Sequence, residues 1–363
     1  MANYRYLFAD VLTNQVLTEL PLTSVNFTQQ LNTAGTFTGK LLLSGVNASG
    51  LNVANSTIPG RTAIYVDRDG VLVWGGVLWT RDWTAKDQML AFTAREFESY
   101  FERRRITADT VFYGVDQLAA VQTIVNNAQA VTNGNVGITV GTETSGVLIN
   151  RTFYGYEYKT VFSAIQELSK TSTGFDFNIT VAYDSNGLPS RTLHLGYPRW
   201  GQTYLATSQN ALVFDMPGNV IDYEWTEDGI TAANTVYALG AGSNPGKLIS
   251  TSVDSTKISS GWPILEDQIN YSDVIDSTLL TTLSVGQVGA VSYPPQTIKL
   301  LVSPSLDPVF GSYEVGDSAR IRIKDDRFPA GLDAVYRIIS FNMQAGENNQ
   351  AEEVTITLTY TTN

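Results

Sequence analysis

Two carboxylate pairs of this 363-residue chain are candidates for catalysis: Asp325-Asp326, ahead of Arg327-Phe328-Pro329, and Glu352-Glu353, at the opening of the last β run. General acid–base catalysis needs two carboxyls in unlike environments, one of them raised in pKa. Neighbours in a turn beside Lys324 and Arg327 lack that contrast, so they read as solvated. Asp67-Arg68-Asp69-Gly70 and Asp184-Ser185-Asn186-Gly187 look like the start of a calcium loop, but the later ligands are missing at both. Each lies between two β runs, which predicts a hairpin turn. His194 is the single histidine, set in Thr192-Leu193-His194-Leu195. Without a second His it forms no metal cluster, and it reads as a surface or interface side chain. Cysteine is absent, which removes disulfides, thiolate metal sites and thiol nucleophiles. Gly240-Ala241-Gly242 lacks the following helix and Lys of a phosphate loop. No catalytic, metal or cofactor site is expected, and the chain reads as a protein that is not an enzyme.

Two clusters remain. Arg103-Arg104-Arg105 is the one dense basic run in a chain of net charge −12. It suits a solvated connector, or a contact to an acidic neighbouring subunit or to DNA, because the guanidinium fork binds carboxylate and phosphate bidentately. Trp74, Trp79 and Trp83 crowd one hairpin region. They suit a sugar-stacking platform or, more commonly, the filling of a core or a subunit interface.

The elements that must carry these residues are mostly strands. β runs are expected at Tyr4–Asp10, Ser24–Leu31, Thr36–Leu43, Ala63–Asp67, Val71–Leu78, Trp79–Trp83 and Met89–Arg95. Strands so short and regular suggest a barrel over residues 1–100. The period then changes. Leu118, Val121, Val125 and Ala128 form one stripe of a helix over Asp116–Ala130, with Asp116 as cap. A second helix is expected near Tyr158–Lys170, then a hairpin of Phe175–Tyr183 with Arg191–Tyr197, giving an α+β domain over 101–202. Strands near Leu212–Phe214, Val220–Trp225 and Thr235–Leu239, and later Thr297–Val302, Ala319–Lys324, Tyr336–Gln344 and Glu352–Tyr360, suggest a second barrel over 203–240 and 297–363. The Ser-, Gly- and Asp-rich segment 241–296 is read as its insertion, with one helix, Ser272–Val288, weakened by Gly286 and Gly289. The fold class is therefore mainly β with an α+β part. No residue-level repeat between the barrels is visible.

Composition agrees. Charged residues are only 16%, while apolar residues are 43% and aromatics 11%, ample for buried cores. The acidic balance gives no field that would draw nucleic acid from solution. The opening Met1-Ala2-Asn3-Tyr4-Arg5 lacks the regions of a signal peptide, and no apolar run is long enough to span a bilayer. Synthesis in the cytosol without membrane insertion is expected.

Several segments of the last 160 or so residues resemble the gp27-like tail hub family of long-tailed bacteriophages. They are Asn234-Thr235-Val236-Tyr237-Ala238-Leu239-Gly240-Ala241-Gly242, Asp273-Val274-Ile275-Asp276 with Leu279, Leu280 and Leu283, and Tyr293-Pro294-Pro295 before Ile298-Lys299-Leu300-Leu301-Val302. Tyr313-Glu314-Val315-Gly316-Asp317 ahead of Ala319-Arg320-Ile321-Arg322-Ile323, and Tyr336-Arg337-Ile338-Ile339 with Val354-Thr355-Ile356-Thr357-Leu358, complete them. The order of elements resembles that family over essentially the whole chain. The resemblance implies two β-barrel hub domains per chain and a homotrimer whose barrels alternate in a pseudo-sixfold ring. It implies a place at the tail tip of the virion, after assembly in the host cytoplasm. Its implied partners are the tail tube or distal tail ring, tail fibre or tip proteins, and genomic DNA in transit. The end at Asn363 implies no wall-digesting extension. A carbohydrate- or receptor-binding tail module built on the tryptophans, and a glycosidase on a β scaffold, are the competing readings.

Overall fold

The computed structural model describes residues 2–43, 52–203, 212–292, 296–347 and 351–360. Tyr293-Pro294-Pro295 and Asn363 lie outside the described residues. The chain opens with β1 (Tyr4–Asp10), β2 (Val16–Glu19), β3 (Thr23–Gln30), β4 (Thr36–Leu42), the short α1 (Val53–Ser56), β5 (Thr62–Arg68), β6 (Val71–Thr84), β7 (Met89–Glu96) and α2 (Glu98–Glu102). Next come β8 (Thr110–Asp116), α3 (Gln117–Gln129), β9 (Ile138–Val140), β10 (Leu148–Phe153), α4 (Val161–Ser169), β11 (Asp176–Tyr183) and β12 (Pro189–Gly196). The remainder is β13 (Leu212–Met216), β14 (Val220–Glu227), β15 (Thr235–Leu239), β16 (Ile249–Val253), α5 (Ser255–Ser259), β17 (Glu266–Asn270), α6 (Ser277–Val291), β18 (Gln296–Val302), β19 (Ser318–Ile323), β20 (Leu332–Gln344) and β21 (Glu353–Tyr360).

A single 13-stranded sheet runs through both ends of the sequence. Its strands alternate as a half-buried sheet requires: Leu90, Phe92 and Ala94 of β7, and Val354, Ile356 and Leu358 of β21, enter one shared core. The sheet divides into two halves with the same strand order. The first is β3-β4-β7-β6-β5-β1, and the second is β14-β18-β21-β20-β19-β13.

The correspondence reaches single residues. β6 bulges between Leu78 and Thr80, then pairs with β7 from Thr80↔Thr93 to Thr84↔Met89. β20 bulges between Ile338 and Ser340, then pairs with β21 from Ser340↔Thr357 to Gln344↔Glu353. Phe37↔Ala94 and Leu41↔Leu90 in the first half answer Ile298↔Leu358 and Val302↔Val354 in the second. Phe27 faces Phe37 as Trp225 faces Ile298. One pair breaks the match: β1 is antiparallel to β5, whereas β13 is parallel to β19. The halves join where β20 pairs with β3, from Ser340↔Gln30 to Gln344↔Asn26.

One feature of the first half differs from expectation. Trp79–Trp83 is not a separate strand, because β6 runs unbroken from Val71 to Thr84, its bulge absorbing the irregular residue. The turn before it is the expected one, with Asp69 and Gly70 both at positive φ.

Helix α3 begins where the sequence places it. The Asp116 carboxylate accepts the Leu118 amide at 2.9 Å, and its second oxygen accepts the Gly146 amide at 2.6 Å. β8 and β10 pair beside it, although neither was anticipated from the sequence. The hairpin of β11 and β12 is in register from Asp176↔Gly196 to Tyr183↔Pro189. β15, which the sequence reading places in the second barrel, instead forms a three-stranded sheet with β16 and β17 of the segment 241–296. Helix α6 covers one face and starts five residues later than Ser272, because Asp276 caps it through the Leu279 amide at 2.7 Å. No helix among the described residues is long and apolar enough to cross a membrane.

Candidate interface site

The three tryptophans are not brought together. Trp74 is fully buried in the shared core, tilted against Phe37 at 5.2 Å, with its indole N–H donating to Thr28 O at 3.0 Å. Burial inside its own chain corrects its assignment to an interface. Trp79 sits at the bulge itself, on the opposite side of the sheet, packed on a second core and donating to Ser99 Oγ at 2.8 Å. Trp83 alone is open, 48% exposed. A sugar-stacking platform needs coplanar exposed rings, and here the strand sends them in different directions.

The arginine run follows α2 and also divides. Arg103 and Arg105 are exposed. Arg104 turns inward, donating to Ala128 O near the C-terminal end of α3 at 2.8 Å and to the Tyr100 hydroxyl at 3.3 Å. A cation there suits the helix dipole. Its neighbours anchor the backbone, since the Val161 amide donates to Arg104 O at 3.0 Å. All three line a cleft of about 540 Å³ with Ile124, Asn127 and Val131.

His194 stacks on Trp200 at 4.5 Å, and its Nε2 lies 2.9 Å from Thr180 Oγ1. Burial lowers its pKa and favours neutral imidazole. The Asp67–Gly70 and Asp184–Gly187 segments are hairpin turns; the Asp184 carboxylate accepts the Asn186 and Leu188 amides at 2.8 and 2.9 Å. No three His, Cys, Asp or Glu gather as a metal site would require among the described residues.

Charged residues to which the sequence reading gave no role clamp the segments together. Arg191 of β12 is 1% exposed yet meets no carboxylate among the described residues. It donates to Tyr65 Oη at 2.7 Å, Val11 O at 2.9 Å, Asn14 Oδ1 at 2.8 Å and Val136 O, and it stacks on Phe97 at 4.2 Å. Glu98 accepts the Ile179 amide at 2.7 Å, tying α2 to β11. Burial lifts its carboxyl to about 7, and burial with the neighbouring Glu98 charge lifts Glu96 well above the usual range. Arg337 of β20 reaches Asp176 of β11 at 2.5 Å and Trp200 O at 2.7 Å. Arg151 of β10 binds Glu167 at 2.6 Å and Asp273, in the loop before α6, at 2.5 Å; Lys159 binds the same two carboxylates. Burial alone would raise the Asp273 carboxyl, but Lys159 and Arg151 override it and hold it below its ordinary value. A signal was present in the sequence: Arg191 shares the strand phase of Leu193 and Leu195, both buried.

Among the described residues, the outer edge of β14 and the Thr80–Thr84 stretch of β6 are both unpaired. β14 pairs only with β18 among the described residues. β6 has β5 beside it from Val71 to Val77, but from Thr80 to Thr84 only β7, on its other edge.

No family model matches the chain, and no curated protein matches it. Solved structures do. A tail protein from Neisseria meningitidis superposes with a TM-score of 0.59 at 12% identity, over 98% of this chain and 96% of that one. The 43 kDa tail protein of prophage MuSo2 from Shewanella oneidensis gives the same score and identity, over 98% and 97%. The fold is that of phage tail proteins. Prophage tail protein gp18 from Listeria monocytogenes, at 0.53 and 12% identity, matches over 97% of this chain and 94% of its own. The likeness thus takes in both halves of the sheet and the segments between them.

Proposed function

We propose that the chain is a tail-tip or baseplate hub protein of a long-tailed bacteriophage. It closes the distal end of the tail tube as a homotrimeric, pseudo-sixfold ring, passes genomic DNA and docks tip or fibre proteins. The observation that carries this reading is the pair of sheet halves with one strand order and one register, joined side by side through β20 and β3. Three copies would offer six similar units, the number a sixfold tube or distal tail ring needs. The units are 1–100 as the first barrel, and 203–240, without β15, with 297–363 as the second. The α+β domain (101–202) is held on them by the Arg191 and Arg337 contacts, and the insertion (241–296) is tied to the α+β domain by Arg151 and Lys159. Such a body is stiff without disulfides. Its net charge of −12 would discourage passing DNA from sticking wherever it faces the channel. The role is structural and not enzymatic, in the virion tail tip.

Electron microscopy of the purified protein tests this. The reading expects rings with threefold symmetry and six similar lobes; isolated monomers or fibres would count against it. The exposed Trp83 favours one second reading, a glycan- or receptor-binding tail module. A glycan array with no hits, or unchanged cell adsorption after Trp83→Ala, would remove it.

A further inference from the structure

The two halves differ in what lies beside their longest strands. In the second half, β20 pairs with β19 from Leu332 to Arg337, and on the same edge with β3 from Ser340 to Gln344. In the first half, β6 pairs with β5 as far as Val77, and among the described residues no strand pairs with the same edge from Thr80 to Thr84. The approach is prepared alike: the Gly60 amide donates to Leu78 O at 2.7 Å, as the Gly316 amide donates to Ile338 O at 2.7 Å. The strand that would fill the vacancy is the counterpart of β3, namely β14, whose outer edge is itself unpaired among the described residues. Within one chain β14 and β6 lie far apart along the sheet, so one cannot fill the other.

We infer that Thr80–Thr84 of β6 pairs antiparallel with β14 of a second copy of this chain, repeating between copies the β20–β3 junction made within each. The inference rests on the hub reading and assigns its contact surface. The residue correspondence fixes a register. Ser340↔Gln30, Phe341↔Gln29, Asn342↔Thr28, Met343↔Phe27 and Gln344↔Asn26 are the template. Carried over, they set Thr80 opposite Asp228, Arg81 opposite Glu227, Asp82 opposite Thr226, Trp83 opposite Trp225 and Thr84 opposite Glu224.

Nothing in that transfer used side-chain chemistry, yet the chemistry fits. Arg81 meets Glu227, an opposite-charge pair directly across the strands. Trp83, 48% exposed, meets the partly exposed Trp225, where the template has the fully buried Met343 and Phe27. The acidic approach of Asp82 and Glu224, where Asn342 and Asn26 hydrogen-bond in the template, is relieved by Lys299, 3.0 Å from Glu224. Pairing also covers two open sheet edges that would otherwise template aggregation. The contact is head-to-tail, so it propagates until it closes into a ring.

The natural chain has no cysteine, so engineered ones report cleanly. Asp82→Cys with Thr226→Cys in the same chain should, on oxidation, link native trimers into a covalent trimer on a denaturing gel, reversed by reductant. Asp82→Cys with Asp222→Cys, four residues out of register, should link at least tenfold less. Arg81→Glu should break the trimer, and adding Glu227→Arg should restore it. A trimer that forms but does not cross-link in the first pair overturns this junction and leaves the hub reading standing. A monomer in both the native chain and the variants overturns both.

Discussion

Leu78 and Ile338 occupy the same place in the two halves of the sheet: each precedes a bulge, and each carbonyl accepts a glycine amide at 2.7 Å. A bulge is a one-residue feature, so its recurrence in one register marks a repeated unit and not a chance likeness of two sheets. The hub reading and the proposed contact between copies both grow from this correspondence.

Gly286 and Gly289 of α6 should respond oppositely to alanine. A Cβ on Gly286 would stand 2.3 Å from Lys170 O, whereas nothing lies within 4 Å of one on Gly289. Gly289→Ala should stabilise by about 0.5–1 kcal/mol through helix propensity. Gly286→Ala should destabilise by roughly 1–3 kcal/mol, because helix and loop must part. Urea midpoints of the two variants decide it; shifts of the same sign would contradict the packing.

Arg151→Met should be severe. It leaves Glu167, whose side chain is 2% exposed, with Lys159 alone, and it cuts the bond to Asp273. A loss of roughly 3–5 kcal/mol is expected for breaking such a buried network. Limited proteolysis should then release fragments from 241–296 first. Unchanged stability would show that the clamp contributes nothing.

Arg191 should tolerate neither Met nor Lys. Methionine abandons four acceptors, and lysine cannot reproduce the planar fork that reaches Val11, Val136, Asn14 and Tyr65 together. Each variant should lose at least about 2 kcal/mol. A lysine variant as stable as the native chain would show that charge alone suffices.

Glu98 makes stability depend on pH. Burial raises its folded pKa to about 7 from 4.5, so its contribution is fully present below about 4.5 and is lost as pH rises through about 7. Glu98→Gln should therefore gain on the native chain between pH 5 and pH 8, by on the order of 2 kcal/mol. Parallel urea titrations at the two pH values check this; an advantage that does not grow with pH would refute the assignment.

Local chemistry was legible wherever it was strong. The Asp69-Gly70 turn, the Asp116 cap and the stripe of Leu118, Val121 and Val125 each announce an element in a few residues. β16 was not legible, because its buried face carries Ser252 against Ser284 of α6, and polar packing leaves no apolar alternation to read. The repeat was hidden for a related reason. Equivalent positions hold Phe27 and Trp225, or Val77 and Arg337, so backbone register persists where side chains do not. The charged clamps escaped notice because an arginine in a strand looks solvated until its neighbours in space are known.

The mass of the native protein in solution tests the central claim most directly. Light scattering behind size exclusion should give three chains of 39.6 kDa, 3 × 39.6 = 118.8 kDa, at micromolar concentration. A particle of one or two chains would contradict the trimeric ring.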